Sequence, residues 1–245
     1  MKIADSIALI TGANGGIGRA LVAELLQRRA SKIYIGGRSK AALSELSSSS
    51  DPRLVPLILD VTDGKQVEAA AAQAKDVTLV INNAGYSADK ATLAADALSN
   101  ARQEMDVNYF GPLRVAHAFV PALAGNGGTI VNVLSFLSLV TLPLLGTYAA
   151  SKAAALSMTR SLRAELAKRG IKVIAAMPVQ VDTPMGAWWD GPKVTPQDAA
   201  REIIDAVEVG ADEVFPGKLS QEAARAFKAD PQAVQARLAT VIPAE

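Results

Sequence analysis

Along the chain, short β-branched apolar runs alternate with longer runs rich in alanine and leucine. The short runs predict strands at Ile7–Ile10, Lys32–Ile35, Leu54–Leu59, Thr78–Ile81, Thr129–Leu134 and Lys172–Ala176, with a last short one at Glu213–Phe215. The longer runs predict helices over Gly16–Arg29, Lys40–Leu46, Gly64–Lys75, Leu98–Leu123, Thr147–Lys168 and Pro196–Val209. Such alternation predicts right-handed βαβ crossovers, hence an α/β fold with a doubly wound parallel sheet and helices on both faces. The strand runs lack polar alternation, as strands buried on both faces should.

No linker divides the chain, so residues 1–245 read as one domain. Lys218–Glu245 is an added piece, two short helices broken at Asp230-Pro231. It is expected to pack on the sheet edge or on a neighbouring subunit. The serine run Ser47–Ser50 reads as a flexible surface loop.

Composition narrows the chemistry. The length of 245 residues suits one α/β domain, and half of the residues are hydrophobic. The net charge of +1 offers no basic excess for nucleic acid and no polybasic run for a lipid surface. There is no cysteine, so disulfides, thiolate catalysis and cysteine metal sites are excluded. The one histidine, His117, argues against a histidine metal centre or a Ser-His-Asp triad, and no metal is expected. The N-terminus lacks the features of a signal peptide, and the most apolar stretch is broken by Asn132, Ser135, Ser138 and Pro143. A soluble cytoplasmic protein is expected.

The first strand ends in Thr11-Gly12-Ala13-Asn14-Gly15-Gly16-Ile17-Gly18, with a helix after it. Glycines let a phosphate approach the backbone, and a helix N-terminus offers it free N–H groups and partial positive charge. The second strand ends in Gly36-Gly37-Arg38-Ser39, the third in Leu59-Asp60-Val61-Thr62 and the fourth in Asn82-Asn83-Ala84-Gly85. Ser135 ends the fifth strand, thirteen residues before Tyr148, and Lys152 shares a helix face with that tyrosine.

With this spacing the sequence resembles the short-chain dehydrogenase/reductase family, over roughly Ile7 to Gly217. The resemblance implies a Rossmann-type fold and an NAD(P)-dependent oxidoreductase, with Asn108, Ser135, Tyr148 and Lys152 as the catalytic set. It implies a cofactor site of Gly12, Asn14, Gly15, Gly16, Ile17, Gly18, Arg38, Asp60, Val61, Asn82, Ala84, Gly85, Tyr148, Lys152, Pro178, Val181 and Thr183. Asn108 is expected to distort its helix and to hold a water that leads from Lys152 to solvent.

The missing carboxylate at Gly37 and the guanidinium of Arg38 point to NADP(H) rather than NAD(H), since Arg pairs with a 2′-phosphate that an acid would repel. Tyrosine suits proton delivery to a developing alkoxide, but its free pKa lies near 10. Lys152 is the expected perturber that lowers it. Asp60 equally reads as a helix cap, although Thr62 or Asp63 is better placed.

After the sixth strand the family usually has Pro-Gly, and here Val179 replaces that glycine. The residues expected around the substrate are Tyr86, Ser135, Leu137, Leu145, Tyr148, Val179, Trp188 and Trp189. Trp188 and Trp189 read equally as an apolar lid or as packing of their loop onto the body or a neighbouring subunit. The wall is apolar and without arginine, so a neutral ketone, aldehyde or secondary alcohol is expected over an anionic acid. A homo-oligomer, tetramer or dimer, is implied by the family. Two other readings stand beside the reductase: a non-catalytic NADP(H)-binding regulator or scaffold, and an imine reductase or other redox enzyme on the same site.

Overall fold

The computed structural model describes residues 1–47 and 51–242. Ser48–Ser50 of the serine run lie outside the described residues. Seven strands form one parallel sheet: β1 (Ile7–Thr11), β2 (Lys32–Gly37), β3 (Leu54–Ile58), β4 (Leu79–Asn82), β5 (Thr129–Val133), β6 (Lys172–Ala176) and β7 (Glu213–Val214). Their order is β3-β2-β1-β4-β5-β6-β7, the doubly wound, Rossmann-type arrangement. The order reverses between β1 and β4, and open parallel sheets bind ligands outside the carboxyl ends of the strands at such a point.

Alternate residues of each strand feed two apolar layers. Ala8, Ile10, Ile33, Ile35, Leu79, Ile81, Val131 and Ile174 point to one face, under α1 (Gly16–Gln27) and α7 (Pro196–Val209). Leu9, Tyr34, Val80, Ile130 and Val173 point to the other, where Val115, Phe119 and Leu123 of α5 (Gly111–Asn126) cover them. Each such Leu or Ile, wholly withdrawn from water, contributes about 1.5–3 kcal/mol.

Local signals set the helix starts. Asp63 caps α3 (Gly64–Gln73) by accepting from the N–H groups of Lys65 and Gln66. Thr195 caps α7 by accepting from Asp198, with Pro196 at the first helical position. Ser39 caps α2 (Lys40–Leu46).

The single helix expected over Leu98–Leu123 is two helices. α4 (Ala97–Met105) and α5 are joined by a π-helical turn at Asp106–Phe110. Asn108 sits in that turn, so the expected distortion is present. α6 runs Gly146–Leu166, and a 3₁₀ turn at Ala167–Arg169 replaces its expected last turn.

The added piece breaks as expected, into α8 (Lys218–Ala229) and α9 (Pro231–Ala239), with Asp230 capping α9. Val234 of α9 is buried against Phe136 and Val140, and Phe215, Phe227 and Leu238 complete that cluster. Gln235 holds the backbone of Thr141 from both sides, accepting from its N–H at 2.8 Å and donating to its carbonyl at 3.0 Å. No described helix is long and apolar enough to cross a membrane.

Candidate active site

The carboxyl ends of β1, β2, β3 and β4 open into a cleft of about 440 Å³. The glycine-rich turn forms its floor. Gly12 has φ +63°, and a Cβ there would meet the Ala84 backbone at 3.0 Å. A Cβ on Gly18 would collide with the carbonyl of Gly12, and one on Gly16 would lie 2.5 Å from the Thr183 methyl. Close approach therefore requires glycine at these positions. The first turn of α1 has no side-chain cap, which leaves it free for an anion.

Arg38 is solvent-exposed on the cleft wall and has no hydrogen bond or ion pair to another described residue. A Cβ on Gly37 would lie 3.1 Å from Asn14 Oδ1 and from Leu43. Asp60 and Val61 line the far end of the cleft. The Asp60 carboxylate also accepts from the Thr62 N–H at 2.9 Å and hydroxyl at 2.7 Å, which fixes the turn after β3. These residues fit a dinucleotide: glycines where a Cβ would block it, uncapped N–H groups, and an unpaired guanidinium.

The fourth strand end divides its labour in a way the sequence did not reveal. Asn82 is buried away from the cleft and donates to Asn132 Oδ1, while Asn132 donates to Thr159. It braces β4, β5 and α6 and does not line the cofactor cleft, because its side chain points into the sheet layer. Asn83 is the residue that meets the glycine turn, donating to the carbonyls of Thr11 and Gly12. Thr11 Oγ1 in turn accepts from the N–H groups of Asn83 and Ala84. The period of two along a strand was the available signal, since neighbours face opposite ways.

Beyond the glycine turn, Tyr148 and Lys152 project from the start of α6 onto the cleft wall. Lys152 is buried and donates to the Val133 carbonyl at 3.1 Å. Its ammonium lies 5.7 Å from the centre of the Tyr148 ring. Ser135 follows β5 and opens the 3₁₀ turn Phe136–Ser138, accepting from the Leu137 N–H.

Burial raises the Tyr148 phenol; the Ser135 hydroxyl beside it opposes this, and the negative charges of Asp89 and Glu104 add to the rise. The expectation of a lowered Tyr148 is therefore corrected as to the net direction. In the protein alone, loss of water around the ring dominates, and the same burial pushes the Lys152 ammonium down to about 8.

Asn108 is 1% exposed, and its side chain is fully engaged. Nδ2 donates to the Tyr86 carbonyl at 2.8 Å and to Ser151 Oγ at 2.9 Å, and Oδ1 accepts from the Tyr86 N–H. It clamps the segment after β4 to α6. The expected water link to Lys152 is not what these side-chain bonds serve, although both Asn108 Oδ1 and Lys152 Nζ lie within 3.7 Å of where a Gly85 Cβ would be.

Of the remaining expected residues, Asn14, Gly15, Gly16, Ile17, Ala84, Gly85, Tyr86 and Thr183 also line the cleft. Pro178 and Val181 are buried behind it: Pro178 accepts from the Phe136 N–H, and Val181 packs on Val194 and Ala199. Leu137 and Val179 belong to the cluster beneath the C-terminal helices, and Leu145 is buried in the loop before α6. The Trp188 and Trp189 rings meet edge to face at 5.9 Å, and Trp189 lies over Gly191. Neither tryptophan lines the cleft; Pro184 and Met185 do. Trp188 is 36% exposed and Trp189 37%. Met185, Gln103 and Val107 on the wall carried no motif by which sequence could find them. Among the described residues, no three acidic or histidine side chains converge to hold a metal ion.

Sheet order and cleft together define a nucleotide-binding α/β oxidoreductase architecture. The short chain dehydrogenase family model matches residues 6–191, and the chain belongs to that family. It is 31% identical over 221 residues to an uncharacterized oxidoreductase of Staphylococcus saprophyticus, spanning 85% of this chain and 93% of that protein. A short chain dehydrogenase from Burkholderia cenocepacia, solved in complex with NADP, is 46% identical; the match spans 97% of this chain and 99% of that one, with a TM-score of 0.91. A member from Burkholderia phymatum in complex with NAD has a TM-score of 0.84 at 21% identity over 95% and 96% of the two chains, a likeness of fold alone.

Proposed function

We propose that this protein is an NADPH-dependent reductase of neutral ketones or aldehydes, with Tyr148 as proton donor and the oxidation of secondary alcohols as the reverse reaction. The observation that carries this reading is the pair of half-buried Tyr148 and buried Lys152 beside Ser135, at one end of a cleft whose wall also carries Arg38, unpaired among the described residues. When bound, NADPH supplies the hydride. The chain supplies binding, orientation and the proton.

The first turn of α1 and the glycines Gly12, Gly15 and Gly16 would take the pyrophosphate, and Arg38 the 2′-phosphate. The preference for NADP(H) is supported by Gly37, which offers no carboxylate to repel that phosphate, and by the NADP held by the Burkholderia cenocepacia relative. Ser135 Oγ and the Tyr148 hydroxyl would both hydrogen-bond the substrate oxygen. Charge develops there as the carbonyl is reduced, and donors already in place stabilise it without reorganisation. The proton then leaves the Tyr148 hydroxyl. Burial that raises the phenol keeps it protonated near neutrality, which suits the reducing direction. Lys152, at about 8, still carries its charge at pH 7 and favours the phenolate formed when the proton departs.

NADPH oxidation followed over neutral ketones, aldehydes and imines tests the reading. Turnover of neutral carbonyls supports it. Tight NADPH binding with a silent panel would establish a binding protein, and turnover confined to imines would move the reaction class.

A further inference from the structure

Asp60 and Val61, in the turn after β3, both line the cleft, and their polar atoms are pinned with two exceptions. The Asp60 N–H donates to Gln66 Oε1 at 3.0 Å, and its carbonyl accepts from the Asp63 N–H at 3.0 Å. Asp60 Oδ1 accepts from the N–H and the hydroxyl of Thr62. The Val61 carbonyl accepts from Nη1 of Arg114, on α5, at 3.3 Å. Asp60 Oδ2 and the Val61 N–H have no hydrogen-bond partner among the described residues. An acceptor and a donor on adjacent residues are thus left for the cleft.

Arg114 reaches this turn from behind and does not itself line the cleft. Its Nη2 donates to Asp106 Oδ1 at 2.7 Å, and its guanidinium carbon lies 5.8 Å from the centre of the Phe110 ring. A Cβ on Gly111 would lie 2.8 Å from Val61 Cγ2, so glycine lets α5 come against Val61. The peptide between Val61 and Thr62 is held at both polar atoms: its carbonyl by Arg114, its N–H by Asp60 Oδ1. Release of the carbonyl therefore loosens the Asp60 carboxylate as well, and with it the spacing of the two free atoms.

We propose that Arg114 is a positioning residue for recognition of the cofactor's base: it holds the Val61 peptide so that Asp60 Oδ2 and the Val61 N–H together meet adenine. The proposal rests on the cofactor half of the reductase reading. A pyrophosphate on α1 and a 2′-phosphate on Arg38 put the adjoining base at the β3 side of the cleft, where Val61 and Val107 offer apolar walls. Adenine presents an amine donor beside the acceptor N1, the complement of the free pair. Hypoxanthine presents a carbonyl acceptor beside an N1–H donor. Against the same two atoms, like would face like, and polar groups withdrawn from water would go unpaired.

Binding of NADPH and of its hypoxanthine analogue is measured on the full chain by nicotinamide fluorescence, with turnover followed separately. Wild type should bind NADPH at least about tenfold more tightly than the analogue. Arg114→Met keeps the length of the side chain and loses its donors. It should weaken NADPH by about three- to tenfold and the analogue by less than about twofold, so that the preference narrows. Arg114→Lys, which keeps one donor group, should restore part of the preference. Arg38→Ala should weaken both nucleotides alike, because both carry the 2′-phosphate.

If Arg114→Met does not fold, Asp106→Ala takes its place. It leaves Arg114 present without its anchor and should narrow the preference in the same direction by a smaller factor. A wild type that binds the two nucleotides equally, or an Arg114 or Asp106 variant that weakens both alike or neither, overturns the proposal. Tight NADPH binding without reduction of any carbonyl would instead overturn the reductase reading, and the two affinities would still judge Arg114.

Discussion

The two ends of the cleft are held in place by different means. The glycine-rich end is made of backbone: Gly12, Gly16 and Gly18 leave no room for a Cβ, and Asn83 and Thr11 tie the turn to β4 with four hydrogen bonds. The substrate end is made of side chains on loops. Pro184 and Met185 close one wall, while the segment Phe136–Leu145 rests on α8 and α9 through Val234 and Gln235. A surface of backbone tolerates little change of residue, whereas a surface of loop side chains can be rebuilt without disturbing the sheet. One end is thus fixed by sterics, and the other is free to set specificity.

The sharpest separation of the two ends comes from Tyr148→Phe. It removes the proposed proton donor and leaves the glycine turn and Arg38 untouched. Reduction should fall by about 10²–10⁴-fold, while the NADPH dissociation constant stays within about threefold. Steady-state rates with fluorescence titration of NADPH check both. Substantial residual turnover would mean that the proton comes from elsewhere.

Lys152→Met tests what burial costs at the point where the ends meet. The Lys152 ammonium is held at about 8 by burial, below its ordinary 10.5. The unfolded chain therefore binds the extra proton between those values, and stability rises with pH across that window. Below about pH 8 the folded protein bears the full penalty, on the order of 3 kcal/mol before loss of the bond to the Val133 carbonyl. The methionine variant should thus be more stable than wild type at pH 7, by about 1–3 kcal/mol, and lose that advantage above about pH 10.5. Urea unfolding at the two pH values decides it, and equal stability at both would show that the ammonium is not penalised. The variant should be inactive at either pH.

Arg38→Ala acts on the opposite end alone. A charge-assisted hydrogen bond contributes roughly 1.5–3 kcal/mol, so NADPH affinity should drop by about ten- to a hundredfold, with NADH affinity unchanged. Parallel titrations with the two cofactors measure it. An equal loss for both would place Arg38 outside 2′-phosphate recognition.

The sequence made these two ends unequally legible. The alternation of strands and helices, the glycine turn, the Asp63 cap and the Ser135, Tyr148 and Lys152 positions follow from local rules: hydrophobic pattern, φ above zero, N-cap chemistry, and spacing on one helix face. The exchange of Asn82 for Asn83 on the cleft was missed because both match the same motif, and only the strand's pleat separates them. The inward roles of Pro178 and Val181 depend on how the chain turns after β6, which no local pattern encodes. Trp188 and Trp189 illustrate the same limit. Two large apolar rings in a loop are read from sequence as a lid or as packing, and no local pattern shows that they meet each other and Gly191 while Pro184 and Met185 line the cleft.

Val179→Gly is the finest test, because Val179 lies behind the cleft and not on its wall. The Val179 side chain packs in two clusters, with Phe215, Phe227 and Leu137 on one side and Ile17, Val181 and Leu219 on the other. Its N–H donates to the buried Ser220 Oγ at 3.0 Å, which joins the chain after β6 to α8. Restoring the glycine usual in the family removes the packing but keeps that hydrogen bond. The expected loss of stability is about 1–2 kcal/mol, the low end for an apolar side chain that is only partly buried. NADPH affinity should not change. The KM for bulky carbonyls should change more than that for small ones, because the space opened adjoins the helices that support Phe136–Leu145. Thermal unfolding together with KM across a size series of ketones reads both effects. A change in NADPH affinity as large as the change in KM would contradict the separation of the two ends, since it would show that the cluster under α8 and α9 supports the cofactor as well as the substrate.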